Sequence, residues 1–298
     1  MENKEEKKMN RKEFFTRTTE GIIGIGLTGL AAPDSGETQA PKTNVEFRTL
    51  GKTGLKISAV GIGAARTNEP SVIKKCLDMG LNFFDTGRMY SEGKNEEIIG
   101  SVIKDIRKNM VIQSKIDQKL MGDREAMVKS IDDSLKALRT DFIDIMLVRG
   151  ATSEEFVNDT ILMEVFSKAK KSGKIRFCGF SSHAGSADQI LRAGVKTKFY
   201  DVAMIPYNHA GHFTHSIYGI YSEWNQEAKE KEIADAVAAG MGILVMKTCS
   251  GGPRKEEGEP KETYRSALKW ILRNKNVSSV VAGMGNFREV TEDTSAMG

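Results

Sequence analysis

The chain has 298 residues, 39% of them hydrophobic and 28% charged, enough for one large domain with a substantial buried core. Lys+Arg 44 against Asp+Glu 40 leaves a formal charge of +4, too weak a bias to make nucleic acid the main partner. The three cysteines, Cys76, Cys178 and Cys249, have no paired spacing, which excludes a zinc ribbon, an iron-sulfur cluster and a disulfide-dense framework.

The N-terminal stretch differs from the rest. Asn10-Arg-Lys-Glu-Phe-Phe15 precedes Gly21-Ile-Ile-Gly-Ile-Gly-Leu-Thr-Gly-Leu-Ala-Ala32, a charged segment followed by a weakly apolar, glycine-rich run. That is the layout of an export signal, and it is too short and glycine-rich for a stable membrane span. The charged element is similar to a twin-arginine signal with Arg11-Lys12 in place of two arginines. Residues 1–44 are therefore expected to be an export signal and linker, with the export machinery as a partner and the periplasm or exterior as destination. If the leader is not used, the protein stays cytoplasmic. The competing reading is a disordered or amphipathic N-terminal arm.

From Val45 onward the chain alternates between extended and helical patterns. Residues 46–50 and 55–57, around Gly51-Lys-Thr-Gly54, read as a hairpin. Short apolar runs at 58–61, 82–84, 111–114, 143–148, 175–179, 202–205, 243–246 and 279–282 read as buried strands. Amphipathic helical patterns lie between them at 71–79, 96–107, 124–138, 154–171, 186–193, 226–239 and 262–273. Eight strands with intervening helices predict an α/β fold of the (β/α)8 TIM barrel type over residues 45–298, its bottom plugged by the hairpin. An open dinucleotide-binding sheet fits less well, because Gly61-Ile-Gly63 lacks a third glycine at the needed offset.

In such a barrel the strand carboxyl ends carry function. Asp85 and Tyr90 follow the second strand and Lys115 ends the third, so parallel neighbours bring the three together. A lysine beside a phenol favours the phenolate, and a carboxylate keeps the lysine charged. Tyr90 thereby becomes a candidate general acid for a carbonyl oxygen. Later strand ends supply Arg149, Ser181, Ser182 and His183, then 207–215, Lys247 and Met284.

Several segments together resemble the aldo-keto reductase family, over nearly the whole chain except its leader. They are Arg48-Thr-Leu-Gly-Lys-Thr-Gly-Leu-Lys-Ile-Ser58, the stretch from Asp85 to Tyr90, Gly179-Phe-Ser-Ser-His183, Ile205-Pro-Tyr-Asn208 and Gly240-Met-Gly-Ile-Leu-Val-Met-Lys247. The resemblance implies hydride transfer between a nicotinamide cofactor and a carbonyl substrate, with Tyr90 as acid tuned by Lys115 and Asp85. Arg149 stands where relatives end the fourth strand with a histidine that orients the carbonyl. An arginine there can hold a carboxylate-bearing substrate or polarise the carbonyl, and it can equally repel Lys115.

The resemblance also implies a cofactor site formed by Gly63, Asp85, Ser181, Ser182, Met204, Met246, Lys247 and Cys249, continuing through Gly283, Met284, Gly285, Glu289 and Asp293. Ser182 replaces an asparagine and Met204 a glutamine. Gly283 and Glu289 fall where many relatives place a lysine and an arginine on the 2′-phosphate, with Arg288 adjacent. NADP is the expected cofactor and NAD the alternative. Only residues 283–298 follow the last strand, so the end at Gly298 reads as minimal or truncated beside relatives.

Two alternatives stand beside the reductase reading. A barrel kept for cofactor or ligand binding, with reductase activity weakened or lost, would account for Arg149, Ser182 and Met204. A Schiff-base lyase would use Lys115 or Lys247. His209, His212 and His215 recur at a spacing of three with His183 on the preceding loop, the pattern of a metal site. No carboxylate or cysteine completes it, and a histidine-bearing substrate loop is the more economical expectation, with no resident metal.

Overall fold

The computed structural model describes residues 44–215 and 221–298. Apart from residue 44, the expected export signal and linker lie outside the described residues. No helix among the described residues is long and apolar enough to cross a membrane.

In chain order the strands are β1 (Phe47–Thr49), β2 (Lys56–Ser58), β3 (Val60–Gly63), β4 (Phe83–Asp85), β5 (Val111–Ile116), β6 (Ile143–Arg149), β7 (Ile175–Ser181), β8 (Val202–Pro206), β9 (His212–Thr214), β10 (Tyr221–Glu223), β11 (Gly242–Met246) and β12 (Ser279–Gly283). A closed ring runs β11-β12-β3-β4-β5-β6-β7-β8, and every neighbouring pair in it is parallel. This is the expected (β/α)8 barrel. Its strands are apolar on both faces because each is covered on both. Phe83, Val111, Ile145, Leu147, Val202 and Leu244 fill the interior. The alternate residues, such as Phe84, Ile112, Met146, Ala203 and Val245, pack against the outer helices.

The hairpin closes the base as expected. β1 and β2 pair antiparallel, and Leu50, Leu55 and Ile57 join the interior cluster. Leu50 and Ile57 are fully buried, which stabilises the closed base by about 1.5–3 kcal/mol per side chain. Gly51 turns the hairpin at φ +47, and a Cβ there would lie 2.4 Å from the Gly242 backbone nitrogen, so only glycine fits. Arg48 ties the hairpin to the barrel by donating to the carbonyls of Leu272, at 2.6 Å, and Val277, at 2.7 Å.

Two of the boundaries that depart from expectation have a clear local cause. The first stave begins at Val60, not at Ser58, because Ser58 pairs with Phe47 in the hairpin and its hydroxyl donates to the Val60 carbonyl at 2.7 Å. The helical pattern at 154–171 is two helices, Glu154–Val157 and Thr160–Lys171. Asp159 starts the second by accepting from the Leu162 amide at 2.7 Å. After β12 the chain forms a further helix, Phe287–Thr294, capped by Asn286.

Candidate active site

A strand turns alternate side chains to one face, so the interior residues fix which later positions point into the mouth. Counting up from Phe83 gives Asp85. Val111 leads to Gln113 and Lys115, Leu147 to Arg149, and Phe177 through Gly179 to Ser181. The same count delivers Met204, Met246, Gly283 and Gly63. One rule of alternation therefore gathers most of the expected residues at one end of the barrel.

Asp85 and Lys115 form a buried pair, 4% and 3% exposed. The carboxylate accepts from Lys115 Nζ and, at 2.6 Å, from Gln113 Nε2. Lys115 Nζ also donates to the Thr86 carbonyl at 2.7 Å. Burial alone would push the ammonium down, but Asp85 and the nearby Tyr90 phenol hold it above the usual lysine range. Such a lysine is charged and a poor nucleophile, which counts against Schiff-base chemistry at this position. The half-buried Tyr90 lies with its ring centroid 4.9 Å from Lys115 Nζ, within cation–π range. Asp85, Tyr90 and Lys115 thus converge as expected.

The segment that presents Tyr90 is held from behind. Ser91 and Glu92 take left-handed conformations at φ 49 and 54, each at a cost of about 1–2 kcal/mol, and Gly93 follows at φ 89. Arg88 folds back across Gly93, where a Cβ would strike its guanidinium, and donates to Glu96 at 2.8 Å. Glu96 is fully buried and also accepts from Ser114, next to Lys115, at 2.6 Å. One carboxylate therefore links the tyrosine loop to the lysine strand. Asn95 makes a parallel tie, accepting from Thr86 at 2.6 Å and donating to the carbonyls of Ala64 and Thr67.

Arg149 ends β6 in register with Ser181. Its guanidinium lies 3.8 Å from the Asp117 carboxylate, and both side chains are about a fifth exposed. Ser181 is buried and its hydroxyl has no protein partner, nor has Gln113 Oε1. Ser182 does not share this orientation. Being the next residue on the strand, it turns outward, donates to the Ala151 carbonyl at 2.7 Å and accepts from the Ala184 amide. Its hydroxyl is committed to the wall behind the mouth. Met204 packs in the interior with its sulfur 3.5 Å from Gln113 Nε2, so a carboxamide from β5 stands beside the position that lacks one on β8.

Beyond β11 and β12 lies a cavity of about 630 Å³, lined by Arg66, Lys247, Cys249, Gly283, Arg288, Glu289 and Asp293, among others. Lys247 sits at φ 59, and burial together with the charge of Arg149 pushes its ammonium below the usual range. Burial raises the Cys249 thiol to about 12. Burial, then Glu292 and Glu289, raises Asp293 to about 7. Glu289 accepts from the Gly285 amide at 2.7 Å and lies 3.7 Å from Arg66. Met284 and Gly285 are not among the residues that line the cavity. Met284 departs most. It is fully buried in the outer core against Cys76, so its side chain is not part of the cavity wall. Arg66, Tyr264 and Asn286 line the cavity without having been expected.

The histidines diverge. His209 packs on Trp270, His212 on Tyr221, and His215 on His183. Among the described residues, no three His, Cys, Asp or Glu side chains gather closely enough to hold a metal. Burial, reinforced by Lys247, His215, Arg149 and Lys115, pushes His183 down to about 3, so it is neutral at ordinary pH.

Comparison with known proteins places this geometry. The model of the aldo/keto reductase family matches residues 59–265. An L-galactose dehydrogenase of Arabidopsis thaliana is 27% identical over 291 residues, covering 86% of this chain and 89% of the relative. Among solved structures, an aldo-keto reductase from Bacillus halodurans in its holo form superposes with a TM-score of 0.66 at 20% identity, over 85% of this chain and 91% of the other. One from Klebsiella pneumoniae in complex with NADPH gives 0.63 at 20% identity, over 85% and 90%. At that identity the structural likeness shows the shared fold.

Proposed function

The chain belongs to the aldo/keto reductase family, and from that premise we propose that it interconverts an aldehyde or ketone and its alcohol with NADP(H), Tyr90 serving as the general acid. The observation that carries this reading is the convergence of a phenol, a buried charged lysine and a carboxylate at the mouth. Negative charge that develops on a carbonyl oxygen needs a positioned proton donor. Tyr90 donates that proton, Lys115 stabilises the phenolate left behind, and Asp85 keeps Lys115 charged.

The residues present fit a nicotinamide dinucleotide. Ser181 Oγ and Gln113 Oε1 are buried polar atoms in need of a partner, suited to a carboxamide. The cavity beside β12 offers Lys247, Arg66 and Arg288 to phosphate groups. When bound, the reduced cofactor supplies the hydride. Residues 1–44 would serve as export signal and linker, a reading that N-terminal sequencing of the mature protein checks.

Tyr90→Phe tests the assignment. Turnover of a carbonyl panel with NADPH is expected to fall about a hundred- to ten-thousand-fold, while the NADPH Kd, read from fluorescence quenching, stays within twofold. Full activity in that variant removes Tyr90 from the mechanism.

A further inference from the structure

In the ring order β11-β12-β3-β4-β5-β6-β7-β8, β6 stands four strands from β12 in either direction. Arg149, at the end of β6, is therefore directly across the mouth from the stave whose Val281 and Gly283 line the cavity. Arg149 is not among the residues that line that cavity. The arginine belongs to the opposite wall, two strands round the ring from β4, whose carboxyl end leads to Tyr90.

The charges on that wall are unbalanced. Arg149 bears on His183 and His215, and so does Lys247. Lys247 reaches them across Phe213, whose ring is 5.4 Å from its Nζ and 6.5 Å from the His183 ring. Against these cations stands Asp117, 3.8 Å from Arg149 and beyond ordinary hydrogen-bonding length. Asp85 is already committed to Lys115 and Gln113. A wall on which one sign of charge predominates favours ligands of the opposite sign. A guanidinium fork matches a carboxylate through two parallel hydrogen bonds.

Building on the reductase reading, we infer that the substrate is a carbonyl compound bearing a carboxylate, and that Arg149 grips that carboxylate while Tyr90 meets the carbonyl oxygen. The carboxylate is unchanged in the reaction. A bound reduced nicotinamide would supply the hydride that the carbonyl carbon gains, Tyr90 gives its proton to the oxygen, and the product is a hydroxy acid.

The test uses a matched pair of aldehydes, 4-formylbenzoate and its neutral methyl ester, with the full chain and NADPH. The wild type is expected to favour the acid in kcat/KM by at least about tenfold. Arg149→Met should reduce the acid-to-ester ratio about 10- to 150-fold, mostly through KM, and Arg149→Lys should fall between, keeping the charge and losing the fork. A wild-type ratio near one that Arg149→Met leaves in place overturns the inference and spares the reductase reading. If neither aldehyde turns over, the reductase reading fails, and calorimetric titration with 4-formylbenzoate then decides the inference separately. Binding that Arg149→Met abolishes upholds it, and absence of binding to the wild type overturns it.

Discussion

Replacing Asp85 by Asn probes the charge that holds Lys115 at the mouth of the barrel. Lys115 is 3% exposed, and its ammonium is held by the Asp85 carboxylate and the Thr86 carbonyl. Removing one partner of a buried ion pair costs about 3–5 kcal/mol. The carboxamide introduced by Asp85→Asn would keep an acceptor oxygen and the Thr86 bond would remain, so the expected loss at pH 7 is near the lower limit, about 3 kcal/mol. The pH dependence separates a charge effect from a packing effect. In the wild type Lys115 titrates above its unfolded value, so its stabilisation is complete below about pH 10 and is lost as pH rises through the folded value. In the variant burial dominates, the folded value drops below the unfolded one, and the penalty fades as pH rises between them. Urea denaturation at pH 7 and above pH 10 should therefore show a deficit that narrows. A deficit under about 1 kcal/mol at pH 7, or one equal at both pH values, refutes the assignment of Lys115 as a charge held by Asp85.

Asp293, raised to about 7, should make the wild type less stable as pH climbs from the usual carboxylate range through neutrality. Asp293→Asn should remove that slope and be more stable at pH 8 by about 1–3 kcal/mol, with no advantage at pH 4, and identical thermal denaturation slopes would contradict it. Glu96→Ala should lower kcat about tenfold without moving the NADPH Kd, because it releases the tyrosine loop from the Ser114 strand. Glu96→Gln, which keeps an acceptor oxygen for Arg88 and can donate from its amide nitrogen to the Ser114 hydroxyl, should recover most of that loss, and equal damage in both variants would argue for a purely structural charge.

Much of this site was legible in the chain because alternation along a strand is a strictly local property. Once the apolar runs were placed, Asp85, Lys115, Arg149 and Ser181 had to share a face. The same property sets Ser182, adjacent to Ser181, on the other face, where its hydroxyl donates to Ala151. Hidden from the sequence were contacts that only ring closure creates. Gln113 meets Asp85 and Met204 because β4, β5 and β8 border one interior. Arg66 reaches the cavity because β3 closes onto β12. Glu96 opens the helical pattern at 96–107, and nothing local marks it as buried between Arg88 and Ser114. Ser58 was assigned to the first stave because its hairpin partner, Phe47, lies in a separate short run.

The hairpin under the barrel makes the cylinder a cup. Leu50, Leu55 and Ile57 block its floor with hydrocarbon, which conducts neither water nor hydrogen ions. On the chemistry proposed above, the proton lent by Tyr90 must be restored through the rim that also admits the reactants. An occupied rim is then a closed route for reprotonation, and the acid is recharged only as the alcohol departs.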